Sequence, residues 1–300
     1  MSLRFAGSKT SSVIIKVIAF LIASMVFEYF LPADFLCIEL SIEGFERYVN
    51  NEVLSLPQLF NLVWNNNIYV LSCFIFRVII LLLLGFRFKK AENLQLSRHT
   101  VIIVLSCVIL SAIGYSYKLY YEFMQYGLRW QTSISDFFRY FITVGMVEEV
   151  IHRGFITNEL FQLKQGRLIT PVAIVISAVA FGFIHVDKGI INFFRYGFVP
   201  TINVLIERFV FPASCGVSLA VILYYKRDIA TLICIHAVNN MLSDSYTYTG
   251  NTALGVLYVA FFIVFVVCYP VYLIIKARKE AKVLNSPHDS TLATQNADVF

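Results

Sequence analysis

Two adjacent glutamates stand in a segment that is otherwise mostly apolar. The stretch VGMVEEVIHRGF, residues 144–155, contains Glu148 and Glu149, followed by His152 and Arg153. Residues four apart share a face of a helix, so Arg153 is expected to pair with Glu149. His152 shares the neighbouring face with Glu148. Two adjacent carboxylates cannot both ionise cheaply in a low dielectric. Because Arg153 can neutralise Glu149, Glu148 is the better-placed general base.

Three more polar side chains stand in later apolar segments. His185 ends the stretch AFGFIHV, while His236 and Asn240 lie four residues apart in ICIHAVNNM and therefore share a helical face. Two hydrogen-bonding side chains aimed the same way could stabilise an oxyanion, where one donor contributes about 2.7–4 kcal/mol. Each residue alone is equally suited to joining helices by hydrogen bonds of about 0.6–2 kcal/mol. Together, a base, an imidazole and paired donors are what water-mediated acyl hydrolysis needs.

The composition predicts that membrane helices position these residues. The chain has 300 residues, of which 58% are hydrophobic and 14% are charged, and its mean hydropathy is +0.73. A soluble domain carries about 25% charged residues, so this chain has too little polar surface for a water-soluble globule. Several apolar runs approach the roughly 20 residues that span a bilayer. We therefore expect an integral membrane protein.

Eight apolar segments predict an all-α polytopic protein with about eight transmembrane helices. The fourth to seventh segments carry Gly, His, Glu, Asn and Arg, so they are expected to face one another around a polar cavity rather than face lipid. The segments are 12–32, 68–86, 100–117, 135–158, 168–187, 204–225, 229–245 and 253–276.

Basic residues alternate along the chain in a way that predicts its orientation. Clusters of Lys and Arg precede the first segment and follow the second, fourth, sixth and eighth, whereas the intervening loops are acidic or weakly charged. The positive-inside rule then places both termini in the cytoplasm, with an even number of spans. This pattern accounts for the net charge of +5, which is therefore no sign of nucleic-acid binding.

The three polar stretches resemble the motifs of the CPBP family of intramembrane proteases, also called Abi, which includes CAAX proteases and bacteriocin-processing enzymes. The family motifs EExxxR, FxxxH and HxxxN/D read here as EEVIHR, FGFIH and HAVNN, in the same order. The resemblance covers about residues 134–246. It implies that Glu148 and His185 activate a water, with Glu149 beside them, and that His236 and Asn240 hold the oxyanion. Arg153 and Phe181 complete the motifs as structural support.

The apolar segments and the resemblance together predict a domain organisation, and the resemblance implies a class of substrate. Membrane helices one to three fall in 1–133, the catalytic core in 134–246, a last transmembrane helix in 247–282 and a disordered tail in 283–300. The implied substrate is a membrane-associated peptide or a prenylated protein, and the implied location is the plasma membrane of a bacterium. The alternative is a non-catalytic protein for bacteriocin self-immunity or binding. A transporter is disfavoured because the polar residues crowd into the second half of the chain.

A metal-dependent reading of the same residues remains as an alternative. Glu148, His185 and His236 carry side chains that suit zinc or another divalent metal. The chain lacks the HExxH arrangement that would make zinc compelling, so we favour a metal-free glutamate mechanism without a cofactor.

Two features depart from the simplest expectation. His152 stands where the family usually has an aromatic or apolar residue, and it either shuttles protons with Glu148 or is merely tolerated.

The second feature is the depth of His185 and His236 below the membrane surface. The predicted segments place His236 about eight residues and His185 about seventeen residues from the same face, or roughly 12 Å against 26 Å. A shared site requires the fifth helix to be tilted, broken or entered later.

Overall fold

The described residues of the computed structural model form a bundle of helices. They cover 9–30, 56–87, 98–126, 137–163, 169–196 and 206–284, and no strand occurs within these ranges. We number the helical stretches of this part in chain order: α1 Lys9–Phe30, α2 Leu56–Leu83, α3 Arg98–Tyr126, α4 138–161, α5 Ile169–Tyr196, α6 Ile206–Lys226, α7 Ile229–Thr249 and α8 252–284.

Each helical stretch overlaps one of the eight apolar segments, so the all-α prediction is confirmed for this part of the chain. Among the described residues, three helices are long and apolar enough to cross a membrane, and three further apolar helices are shorter than that. The long ones are Arg98–Tyr121, Ile206–Lys226 and Thr252–Lys282, and the shorter ones are Ser11–Phe27, Leu71–Leu83 and Thr170–Val186. The protein is therefore an integral membrane protein, while eight complete spans remain a prediction. Of the predicted tail, residues 285–300 lie outside the described residues.

Two tight turns fix both ends of α7, which carries His236 and Asn240. Arg227 adopts a left-handed conformation (φ 54°) after α6. The carboxylate of Asp228 then accepts the backbone N–H of Ala230 at 3.0 Å and caps α7. A cap of this kind contributes about 1 kcal/mol. At the other end, Gly250 has a positive φ of 61° and stops the helix. The chain thus reverses direction on both sides of this helix.

The helix α4 departs from the α-helical geometry that the sequence suggested. Residues Phe138–Met146 and Val150–Thr157 are π-helical, and only Val147–Glu149 between them and Asn158–Phe161 at the end are α-helical. A π-helix bonds residue i to i+5 and frequently marks a functional site. Its wider turn places more residues at each level, so faces assigned with the α-helical period are displaced. This matters because both glutamates lie at the junction of the two π-helical parts.

Glycines let the helices around α4 and α5 approach closely. A Cβ on Gly145 would lie 3.0 Å from the Cβ of Ala237, so its bulk is excluded by α7. A Cβ on Gly182 would lie 2.9 Å from both the Cβ of Ala213 and the carbonyl oxygen of Phe209 on α6. Small residues at such crossings favour close packing in membranes. The helix that carries His185 is therefore fixed against α6 just one turn before the histidine.

The buried side chains form two clusters that meet at the polar motifs. One cluster draws on α1, α2, α4 and α5, and the other mainly on α3, α6, α7 and α8. The glutamates belong to α4 and His185 to α5, whereas His236 belongs to α7. The polar residues consequently lie at the junction of the two clusters, between helices of the bundle, where ligand sites commonly form.

Candidate active site

Glu148 lies between two imidazoles that come from different helices. Its Oε2 is 3.5 Å from Nε2 of His185 and 3.7 Å from Nε2 of His236. The side chain of Glu148 is 19% exposed and that of His185 is 27% exposed, whereas His236 is 7% exposed. The glutamate and both histidines thus share one partly open site.

The second ring nitrogen of each histidine fixes the orientation of its imidazole. Nδ1 of His185 lies 2.8 Å from the carbonyl oxygen of Phe181. A carbonyl can only accept, so Nδ1–H of His185 is the donor. Nδ1 of His236 lies 2.8 Å from Oε1 of Glu149, where an ionised carboxylate likewise accepts. Both imidazoles therefore present Nε2 to Oε2 of Glu148.

Glu149 joins the arginine and the second histidine in a buried polar group. Its Oε1 lies 3.2 Å from Nη1 of Arg153, and both side chains are completely buried. This is the ion pair expected from the spacing of four residues. A buried ion pair depends on the presence of both partners, because removal of one leaves an uncompensated charge. Glu149 thus balances Arg153 and at the same time orients His236.

The ring of Phe181 lies at the centre of the polar residues. It is 2% exposed, and the guanidinium carbon of Arg153 lies 4.2 Å from its centroid. Three imidazoles pack against the same ring at centroid distances of 4.6 Å for His185, 5.0 Å for His152 and 5.6 Å for His236. The second motif therefore contributes a shared apolar contact as well as a histidine.

His152 turns towards Phe181 rather than towards Glu148. It is 1% exposed, and its ring meets the ring of Phe181 at an interplanar angle of 85°. Its Nδ1 is buried without a hydrogen-bond partner in the described part of the chain. The partners recorded for Glu148 are His185 and His236. In the described part of the chain, no hydrogen bond or ion pair joins His152 to Glu148.

Asn240 lies one helical turn beyond His236 on α7 and is half-buried. Its backbone position places it on the face of α7 that carries His236, as the spacing of four predicts. The neighbouring Asn239 is buried instead, and its Oδ1 has no hydrogen-bond partner among the described residues.

A metal-dependent mechanism would use Glu148, His185 and His236 as ligands. Within the described residues, no three side chains of His, Cys, Asp or Glu are placed to hold a metal ion. Both Nδ1 atoms are engaged by protein acceptors, and the two Nε2 atoms face the same carboxylate oxygen at 3.5 and 3.7 Å. We therefore derive no chemical step through a metal.

His185 and His236 reach the same carboxylate although α5 begins at Ile169, within one residue of its predicted start. This helix runs from Ile169 to Tyr196, nine residues beyond the predicted end of the fifth segment, and its 28 residues span about 42 Å. His185 therefore lies well inside α5, and its side chain reaches the same carboxylate as His236. The fifth helix is longer than predicted, and the site lies partway along it.

Sequence reasoning missed two relationships at this site. The hydrogen bond from His236 to Glu149 joins residues 87 positions apart, so no local sequence pattern predicts it. The contact of Phe181 with His185 did have a signal, since the two residues are four apart in FGFIH and share a helical face. That spacing predicts the contact with His185, but not those with Arg153 and His236.

Comparison with known proteins yields one family match. Residues 130–242 match the family model described as Type II CAAX prenyl endopeptidase Rce1-like. The matched range contains all three polar motifs, so the resemblance to CAAX proteases is confirmed for this part of the chain. No curated protein and no solved structure matches the chain.

Proposed function

We propose that this protein is an intramembrane endopeptidase that hydrolyses a peptide bond through a water activated by Glu148. The single observation that carries the proposal is the convergence of His185 and His236 on Oε2 of Glu148. The side chains are 7–27% exposed. Oε2 of Glu148 is buried without a hydrogen-bond partner among the described residues, so a water bound between the three side chains would supply that partner. The family match supports the same class of reaction.

The first half of the reaction follows from the fixed imidazoles. Nδ1–H of His185 is engaged by the carbonyl oxygen of Phe181, so its Nε2 lone pair can accept a hydrogen bond from a water beside Glu148. Ionised Glu148 takes one proton from that water, and the water oxygen forms a bond to the carbonyl carbon of the substrate. The products of this step are a protonated Glu148 and a tetrahedral oxyanion.

His236 and Asn240 are proposed to stabilise the oxyanion. Because Nδ1–H of His236 already donates to Glu149, Nε2 becomes a donor only when the imidazole carries both protons. The buried carboxylate of Glu149 stabilises that imidazolium, and the side-chain amide of Asn240 supplies a second donor one turn away. A preorganised donor of this kind contributes about 2.7–4 kcal/mol to transition-state stabilisation.

The second half of the reaction returns the proton. Protonated Glu148 donates it to the amide nitrogen of the substrate while the bond between the carbonyl carbon and that nitrogen breaks. The products are a new carboxylic acid and a free amine, and Glu148 is ionised again. This mechanism needs no metal or other cofactor.

The name of the matched family guides the choice of substrate. We propose a peptide bond near the prenylated C-terminus of a protein or peptide, presented to the site from the bilayer. The charge pattern supports eight spans with both termini in the cytoplasm, and the resemblance supports the plasma membrane of a bacterium.

The test is cleavage of prenylated and unprenylated C-terminal peptides by the protein in liposomes, with products identified by mass spectrometry. Glu148→Gln removes the base while keeping the size of the side chain, so cleavage is expected to fall below detection. Glu159→Gln changes another half-buried glutamate of α4 and is expected to retain wild-type cleavage. Equal cleavage by Glu148→Gln and the wild type would disprove the proposed base.

A further inference from the structure

The ring of Phe181 contacts charged and titratable groups on both sides of the proposed site. We infer that Phe181 is a positioning residue for the hydrolysis proposed above, on which this inference rests. Its ring holds the guanidinium of Arg153 against Glu149 and fixes the two imidazoles that face Glu148.

The face of the ring supports Arg153. The guanidinium carbon lies 4.2 Å from the ring centroid, and the arginine is completely buried. Nε, Nη1 and Nη2 make no hydrogen bond with other described residues. The recorded ionic partner is Glu149, at 3.2 Å. Because a cation–π contact strengthens when it is removed from water, the ring face is a second support for this guanidinium. Without the ring, Arg153 can move away from Glu149.

The ring also makes edge-to-face contacts with the two imidazoles. His185 meets the ring at an interplanar angle of 61° and His236 at 75°, with centroid distances of 4.6 and 5.6 Å. Edge-to-face geometry is the favoured arrangement of such rings. One rigid ring in contact with both imidazoles limits how far either Nε2 can move from Glu148. A displacement of 1 Å at a reacting group can cost about 10²-fold in rate.

Mutation of Phe181 can remove the contacts of its ring without removing the hydrogen bond that its backbone accepts from His185. The carbonyl oxygen of Phe181 accepts Nδ1–H of His185 whatever side chain the residue carries. Phe181→Leu therefore keeps that hydrogen bond and much of the apolar volume, and removes only the aromatic contacts. Phe181→Tyr keeps the ring and serves as the conservative variant.

The experiment measures kcat and KM for a peptide that the wild-type protein cleaves. Phe181→Leu is expected to lower kcat by about 10²-fold with KM within threefold of wild type, and Phe181→Tyr to restore at least tenfold of that loss. The matched control is Phe261→Leu, which alters an equally buried phenylalanine on α8 and is expected to retain wild-type kcat. Wild-type kcat in Phe181→Leu overturns the inference, and so does a Phe181→Tyr variant no faster than Phe181→Leu.

A second measurement does not depend on cleavage. Arg153→Lys keeps the positive charge but loses the planar group that matches the ring. The thermal unfolding midpoint is measured for both single variants and for the double variant Phe181→Leu/Arg153→Lys. If the two residues act as a pair, the double variant lowers the midpoint by no more than the more destabilised single variant does. Fully additive shifts overturn the inference, and this test also serves if Phe181→Leu is inactive through poor folding.

The outcomes separate this inference from the proposed function. If Glu148→Gln abolishes cleavage while Phe181→Leu cleaves at the wild-type rate, only the positioning role of Phe181 fails. If Glu148→Gln cleaves normally, the proposed hydrolytic base fails, and the double variant alone decides whether the ring holds Arg153.

Discussion

Nδ1 of His236 lies 2.8 Å from Oε1 of Glu149, which is the same oxygen that lies 3.2 Å from Nη1 of Arg153. One carboxylate oxygen therefore orients an imidazole and balances a buried cation. The two adjacent glutamates therefore have different surroundings. Glu149 is completely buried and serves the neighbouring side chains, whereas Glu148 is partly exposed and can meet a substrate.

Glu149→Gln is expected to lower kcat by up to about 10⁴-fold, the loss found when the carboxylate that orients a triad histidine is replaced by an amide. The amide oxygen can still accept Nδ1–H of His236, but it carries no charge to stabilise the imidazolium. KM is expected to change little, because the side chain is completely buried and does not meet substrate. The measurement is steady-state cleavage by the folded fraction recovered from size-exclusion chromatography.

The matched control is Glu280→Gln. It removes a glutamate from an exposed ion pair with Lys276, whose charged atoms are 3.8 Å apart. Exposed pairs contribute little, so both kcat and stability should stay at the wild-type level. Unchanged kcat in Glu149→Gln would show that His236 needs no charged partner.

His152→Phe is expected to retain kcat within about twofold of wild type and to keep or raise the thermal unfolding midpoint. His152 packs edge-on against Phe181, and its buried Nδ1 lacks a partner in the described part of the chain. Replacing an unsatisfied polar group by an apolar one of similar shape can be neutral or stabilising. Purified His152→Phe is compared with wild type in the peptide assay and in thermal unfolding.

The matched control for His152→Phe is His185→Phe. This variant removes the Nε2 that faces Glu148 and should abolish cleavage. A large loss of kcat in His152→Phe would favour the other interpretation of this residue, a proton shuttle.

Part of this site could be predicted because it depends on local geometry. The ion pair of Glu149 with Arg153 follows from a spacing of four residues, and it survives in the structure. The helical class follows from apolar runs, which the chain must bury in lipid with all backbone groups bonded internally. Both features depend on nearest neighbours along the chain, so one sequence is sufficient to state them.

The rest depends on tertiary packing. The bond of His236 to Glu149 joins α7 to α4, which Gly145 lets approach closely, and the ring of Phe181 joins α5 to both of these helices. The end of α5 was placed too early because the sequence after Val186 becomes more polar, yet the helix continues to Tyr196. The π-helical turns of α4 leave no apolar period of their own, so they could not be predicted from the sequence.

Removal of divalent metals is expected to leave cleavage unchanged. The proposed mechanism uses only protein groups, and the described residues provide no set of three ligands for a metal ion. Wild-type protein is dialysed against EDTA and 1,10-phenanthroline and then assayed, and its metal content is measured by mass spectrometry. Activity within about twofold of untreated protein is the expected result. Loss of activity that returns on addition of zinc would favour the metal-dependent alternative with Glu148, His185 and His236 as ligands.

Gly182→Ala is expected to destabilise the protein by about 1–3 kcal/mol, the usual cost of overpacking, and to lower kcat. The added Cβ would lie 2.9 Å from the Cβ of Ala213 and from the carbonyl oxygen of Phe209. Neither atom can move away without its helix, so α5 must shift relative to α6 and take His185 with it. Thermal unfolding and peptide cleavage measure the two effects.

Gly114→Ala provides the contrast, because its added Cβ would meet the flexible side-chain ends of Leu242 and Met241, at 2.9 and 3.2 Å. Those ends can rotate away at small cost, so the loss of stability should be smaller and kcat should remain normal. Equal effects of the two substitutions would mean that the close contact between α5 and α6 does not control the position of His185. A larger effect of Gly182→Ala on both measurements would tie the geometry around Glu148 to that helix crossing.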